Sequence, residues 1–131
     1  MKTRTATCSC GQLRIETKGE PVRVSVCHCL ACQKRTGSAF GAQARWAEEN
    51  AVTTGNHTTY VRRADTGNVV RFCFCPDCGA TVFYRLDALP GFVAVPVGAF
   101  ADPSFPTPTV AIYEARRHAW VGLPDDVERM D

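Results

Sequence analysis

Apolar and polar residues alternate with a period of two along most of this chain. After Gly11, Leu13 and Ile15 alternate with Gln12, Arg14 and Glu16, the pattern of a strand with one buried face. Val22, Val24 and Val26 alternate with Arg23 and Ser25 and run straight into Cys27. Phe40, Ala42, Ala44 and Trp46 alternate with Gly41, Gln43 and Arg45. Further strand-like runs cover Thr58 to Arg62, Val69 to Phe74, Ala80 to Arg85, Phe92 to Val97 and Thr109 to Ala115, each bounded by Gly, Pro, Asn or Asp. Phe40 and Trp46 are expected in the core on one strand face. His118 and Trp120 are expected to pack a closing strand.

No window carries a sustained 3.6-residue apolar period, the mark of an amphipathic helix. Only two short helical pieces are predicted, Leu30 to Thr36 and Trp46 to Ala51. About eight strands separated by turn signals predict a mainly β, sandwich-like domain of stacked antiparallel sheets with short helical turns. The segment Pro103-Ser-Phe-Pro-Thr-Pro108 reads as a rigid, extended connection. With 131 residues, one domain spanning 1–131 is expected.

Composition narrows the function. Apolar residues make up 45% and charged residues 21%, which suits a folded core and argues against disorder. The net charge is +2, and the basic residues are scattered apart from Arg62–Arg63 and Arg116–Arg117. Without a basic stripe, no nucleic-acid partner is expected. No apolar run approaches the roughly 20 residues that span a bilayer, and Met1 to Ala6 has no signal-like apolar stretch. A soluble, cytoplasmic protein without a membrane partner is expected. Asp125, Asp126 and Glu128 read as a solvated tail.

The 8 Cys then become informative, because thiols in a reducing compartment more often bind metal than pair. They fall into Cys8-Ser-Cys10-Gly11, Cys27-His-Cys29-Leu-Ala-Cys32 and Cys73-Phe-Cys75-Pro-Asp-Cys78-Gly79. Zinc prefers four thiolate or imidazole ligands in a tetrahedron. Cys75 and Cys78 form half of such a site, and Cys8 with Cys10 is the simplest supplier of the other half. Cys27, Cys29 and Cys32 offer three thiolates, which leaves a fourth position for water or substrate, as catalytic zinc requires. Cys73 could instead close that second tetrahedron and remove its chemistry. His28, between two candidate ligands, is read as a second-layer or surface residue.

These ordered motifs, continued through Gly37-Ser38-Ala39-Phe40 and Phe74-Cys75, resemble the glutathione-dependent formaldehyde-activating enzyme family. The resemblance runs from Cys8 to at least Phe83. It implies a β-tent fold stapled by two zinc ions. Cys8, Cys10, Cys75 and Cys78 would hold the structural ion, and Cys27, Cys29 and Cys32 the catalytic, more easily lost one. It leaves Cys73 as an extra thiol.

The activity so implied joins the thiol of glutathione to formaldehyde, a carbon–sulfur lyase reaction in reverse. A zinc-dependent carbon–sulfur lyase or thiol–aldehyde adduct synthase acting on a small thiol such as glutathione is therefore expected. The competing reading is a non-catalytic zinc-stabilised β module that binds a protein partner. Arg35, Arg62 and Arg116 are candidates, by charge alone, for gripping substrate carboxylates.

Overall fold

The computed structural model describes residues 1–131. A three-stranded antiparallel sheet is built from β1 (Thr3–Thr7), β2 (Arg14–Lys18) and β5 (Ala51–Thr54). The remaining strands are β3 (Arg23–Cys27), β4 (Gly41–Ala47), β6 (Thr58–Arg63), β7 (Val69–Phe74), β8 (Thr81–Leu86), β9 (Phe92–Pro96), β10 (Val110–Ile112) and β11 (Glu128–Arg129). They form an eight-stranded sheet ordered β11-β10-β3-β4-β9-β8-β7-β6. The architecture is mainly β with stacked sheets, as the alternation predicts.

Successive residues of a strand face opposite sides of its sheet, and this parity organises the molecule. Ala6 and Ile15 of the small sheet, with Leu13 of the turn between β1 and β2, meet Val24, Ala44, Trp46, Phe83, Val93 and Val95 of the large one in one buried core. Trp46 fills its centre, with Phe100 at 5.6 Å between ring centroids and its indole N–H donated to the Gly19 carbonyl at 3.1 Å. The other face of the large sheet carries a second apolar set, Val70, Phe72, Tyr84 and Ala94. A bulge between Cys73 and Phe74 lets both Val82 and Phe83 reach the main core.

Several expectations are corrected. The polar N-terminus is a strand, because β1 pairs with β2 from Thr3–Lys18 to Thr7–Arg14. Glu128 is not free tail, since it enters β11 and pairs in parallel with Val110. β10 also runs parallel to β3, so the large sheet is antiparallel only away from this edge. Trp46 lies in β4 rather than in a helix, and only Glu48–Asn50 makes a 3₁₀ turn there. Phe40 is half-buried beside His28 rather than in the core. Trp120 packs no strand: it is 75% exposed.

Candidate metal centres and the adjoining cavity

Cys8 and Cys10 sit in the turn leaving β1, and Cys75 and Cys78 in the turn leaving β7. Their four sulfur atoms lie within 4.8 Å of one another. Cys8 and Cys10 are 3.6 Å apart and Cys10 and Cys75 3.7 Å. A tetrahedron with zinc–sulfur bonds of about 2.3 Å has edges of roughly 3.8 Å, so the spacing fits a four-thiolate ion site.

The local chain is shaped to hold that spacing. The Leu13 N–H donates to Cys8 Sγ at 3.3 Å and the Asp77 N–H to Cys75 Sγ at 3.4 Å, which spreads thiolate charge onto the backbone. Gln12 Nε2 donates both to Cys75 Sγ at 3.0 Å and to the Asn56 carbonyl at 2.7 Å. The Asn56 N–H returns a bond to Gln12 Oε1 at 2.9 Å. Backbone N–H groups of Ala80 and Cys10, outweighing burial, hold Cys78 down to about 6. Gly79, at φ +80°, supplies the left-handed residue that closes the knuckle.

The second group lies at the other end of the chain's logic. Cys27 ends β3, Cys29 caps the N-terminus of α1 (Leu30–Thr36), and Cys32 sits in that helix's first turn. The Cys32 N–H donates to Cys29 Sγ at 3.2 Å, so the capping bond itself fixes two of the thiols. Gly37, in the left-handed region at φ 65°, ends the helix. The three sulfurs again lie within 4.8 Å of one another. Cys32 is held down to about 5, by the Cys27 thiol first, then by Cys29 and Arg35, against burial. Cys27 is pushed up in turn, by that same bond and by burial. Three convergent soft donors suit a thiophilic cation.

His28, between these ligands in sequence, is fully buried rather than at the surface. Its Nε2 lies 3.0 Å from Glu114 Oε2, and its ring meets Phe40 edge-on at 5.9 Å. Burial holds the imidazole below its ordinary value. Glu114 is also bound by Arg129 and sits 3.5 Å from Arg117. Gln33 of α1 donates to the His28 and Arg116 carbonyls at 2.9 and 3.2 Å, and its Oε1 meets His118 Nε2 at 2.9 Å. The C-terminal segment thus buttresses the three-cysteine turn from behind.

In front of that turn lies a cavity of about 650 Å³ that Cys27, Cys29 and Cys32 line. The size suits a small molecule. Its floor is the second apolar face of the large sheet, with Phe72 and Tyr84. Arg35 sits over Phe72 and Tyr84 at 5.0 and 5.3 Å from their centroids, and Arg62 over Phe72 at 5.4 Å. Tyr84 keeps its phenolic proton, since burial above all pushes it up. Cys73 is on the opposite face, in the core beside Cys75 and Phe83, and belongs to neither sulfur group. It meets only Thr59 Oγ1, at 3.7 Å. The structure does not bring Cys73 to the three-sulfur group that it was expected, as an alternative, to close.

The family model for glutathione-dependent formaldehyde-activating enzymes matches residues 3–116. The chain belongs to this family. As a family member it is also similar to a solved structure, a structural-genomics crystal structure of a Rhodobacter sphaeroides protein. That likeness has a TM-score of 0.58 at 19% identity and covers 97% of this chain and 99% of the other; it speaks for the fold alone. No curated protein matches.

In this family member the structure brings together all seven cysteines singled out by spacing, in the same four and three. Of the three arginines chosen by charge, Arg35 and Arg62 line the cavity while Arg116 is exposed elsewhere. Sequence reading passed over Tyr84 and the lining residues Arg23, Arg45 and Arg63. Parity held the missing signal: Arg23 and Ser25 stand at two-residue steps before Cys27, on the same strand face.

Proposed function

We propose that the protein is a zinc enzyme that makes or breaks a carbon–sulfur bond between a small thiol, such as glutathione, and an aldehyde, such as formaldehyde. Cys8, Cys10, Cys75 and Cys78 hold a structural ion. Cys27, Cys29 and Cys32 hold a second ion whose fourth position faces the cavity. The observation that carries this reading is the placement of three convergent thiols, without a fourth protein donor, at the wall of a cavity of small-molecule size.

Zinc bound there would supply Lewis acidity that keeps a substrate thiol deprotonated at neutral pH. The chain's own residues do the rest. Arg35, whose positive charge acts on Cys32, steadies anionic sulfur at this end of the cavity. The aromatic floor of Phe72 and Tyr84 excludes water, and the Tyr84 phenol holds a proton that it can share with an oxyanion forming on the aldehyde. Holding thiol and aldehyde side by side turns a two-molecule encounter into a local one, often the larger gain.

The test is exchange spectroscopy of formaldehyde and glutathione with zinc-loaded protein. Adduct exchange faster than the buffer rate, lost in Cys29→Ser, supports the enzyme. An unchanged rate with every common cellular thiol sinks it. Cys73 packs in the core and not among the second group's sulfurs, which favours the enzyme over a partner-binding module.

A further inference from the structure

The cavity carries a strong charge imbalance. Arg23, Arg35, Arg45, Arg62 and Arg63 line it, against the single carboxylate of Asp65. None of these five arginines pairs with a carboxylate, whereas Arg4, Arg71, Arg85, Arg117 and Arg129 each do; of the five, Arg35 is the one beside the Cys32 thiol. The Nε groups of Arg23, Arg35, Arg45 and Arg62 are buried without a hydrogen-bond partner. A buried N–H without an acceptor is costly, and four such Nε groups belong to half-buried arginines that line one space.

The arrangement is sharpest at Arg23 and Arg45, which stand directly opposite each other on β3 and β4. Like charges in that position destabilise a sheet. Burial first and the Arg23 charge second weaken the hold of Arg45 on its proton, a sign of the same crowding. Arg45 leans on the Phe92 ring at 5.8 Å. Between this pair and the thiols lies the cross-strand pair Ser25–Gln43. Gln43 donates to Ser25 Oγ at 2.8 Å and leaves its own Oε1 buried without a donor. Four residue steps of strand lead from Arg23 to Cys27, roughly 13 Å.

We propose that Arg23 and Arg45 form an anion subsite for a doubly charged group, a phosphate or a pair of carboxylates, at the far end of a thiol substrate whose sulfur reaches Cys27, Cys29 and Cys32. Guanidinium forks match the oxygens of either group. Glutathione, with two carboxylates and one ammonium, carries a single net negative charge and leaves most of the imbalance uncancelled. A substrate of higher negative charge is preferred. The assignment deepens the proposed function and rests on it for the thiol alone; anion binding at the pair stands without it.

Calorimetric titration of the zinc-loaded full chain with phosphate, succinate and acetate, each alone at low ionic strength, tests the subsite. The expected result is at least about ten-fold tighter binding of phosphate or succinate than of acetate, with Arg23→Gln and Arg45→Gln each losing about ten-fold. Whichever dianion binds more tightly names the group. Melting curves guard against misfolding. Relief of like-charge crowding keeps the melting temperature of R23Q at or above that of the parent in anion-free buffer, and the rise on adding phosphate or succinate disappears. Equal binding of all three anions, affinity unchanged in both variants, or a lower melting temperature of R23Q without anion overturns the subsite. A subsite that binds dianions while thiol–aldehyde exchange fails would refute the proposed function and leave the subsite standing.

Discussion

Cys73 and Cys32 are both buried thiols, yet their surroundings set different roles. Cys73 packs among Cys75, Val82 and Phe83 with a weak hydroxyl neighbour, so it acts as a small apolar residue. Cys73→Ala is expected to cost about 1 kcal/mol in denaturant unfolding and to leave two metal ions per chain by elemental analysis. Cys32→Ser should leave one, because it removes a donor from the three-sulfur group and touches none of the four. The second residue-scale prediction concerns Tyr84. Tyr84→Phe keeps the ring on the cavity floor and removes the phenolic proton. Thiol–aldehyde exchange should then slow by about 10²-fold with metal content unchanged.

Among the elements, two connections decide whether the sites form. The turn after β5 crosses the turn after β1 so closely that a Cβ at Gly55 would lie 2.0 Å from the Gln12 carbonyl oxygen, and Gly55 sits at φ +97°. Gly55→Ala should therefore cost at least about 2 kcal/mol. It should also loosen the Gln12 clamp on Cys75, seen as faster loss of the structural ion to a chelator. The 3₁₀ turn Glu114–Arg116 supplies the second connection. Burial pushes the Glu114 carboxyl up, but Arg129, His28 and Arg117 outweigh it and hold it below the ordinary 4.5. A carboxylate lowered on folding stabilises fully above its unfolded value and loses that contribution as pH falls through the folded one. Glu114→Gln should thus lower stability at neutral pH and flatten the decline below about pH 4.5, as followed by melting temperature against pH.

How much of these elements was legible follows from what sets them. β2, β3, β4 and β7 to β9 announce themselves because one face of each meets the core and the alternation is strict. β1 and β11 are set by pairing across the chain, which leaves no local period in Thr3–Thr7 or Glu128–Arg129, whereas β10 falls inside the predicted run Thr109 to Ala115. The cysteine groups were readable because ligand spacing is short-range chemistry. The cavity was not, since Arg23, Arg45 and Arg62 come from three strands that meet only in the folded sheet.

At the scale of the whole molecule, the two sulfur groups do different mechanical work. The four-cysteine group ties the β1–β2 turn of the small sheet to the β7–β8 turn of the large one, closing the core between them. The three-cysteine group ties β3 to α1 at the rim of the cavity. Full metal removal by a strong chelator should lower the melting temperature sharply, since structural zinc contributes on the order of 10 kcal/mol in small domains. Selective loss of the second ion should leave the far-ultraviolet dichroism of the sheets nearly unchanged. No helix is long and apolar enough to cross a membrane, and family membership extends over residues 3–116, both sulfur groups included.

The central claim is an ion held by Cys27, Cys29 and Cys32 with its fourth position open to the cavity. A crystal structure with diffraction recorded at the zinc edge tests it most directly. The account predicts zinc on those three sulfurs with water or a small thiol completing the tetrahedron. A fourth ligand from the protein itself, or zinc confined to Cys8, Cys10, Cys75 and Cys78 in fully loaded protein, would contradict it.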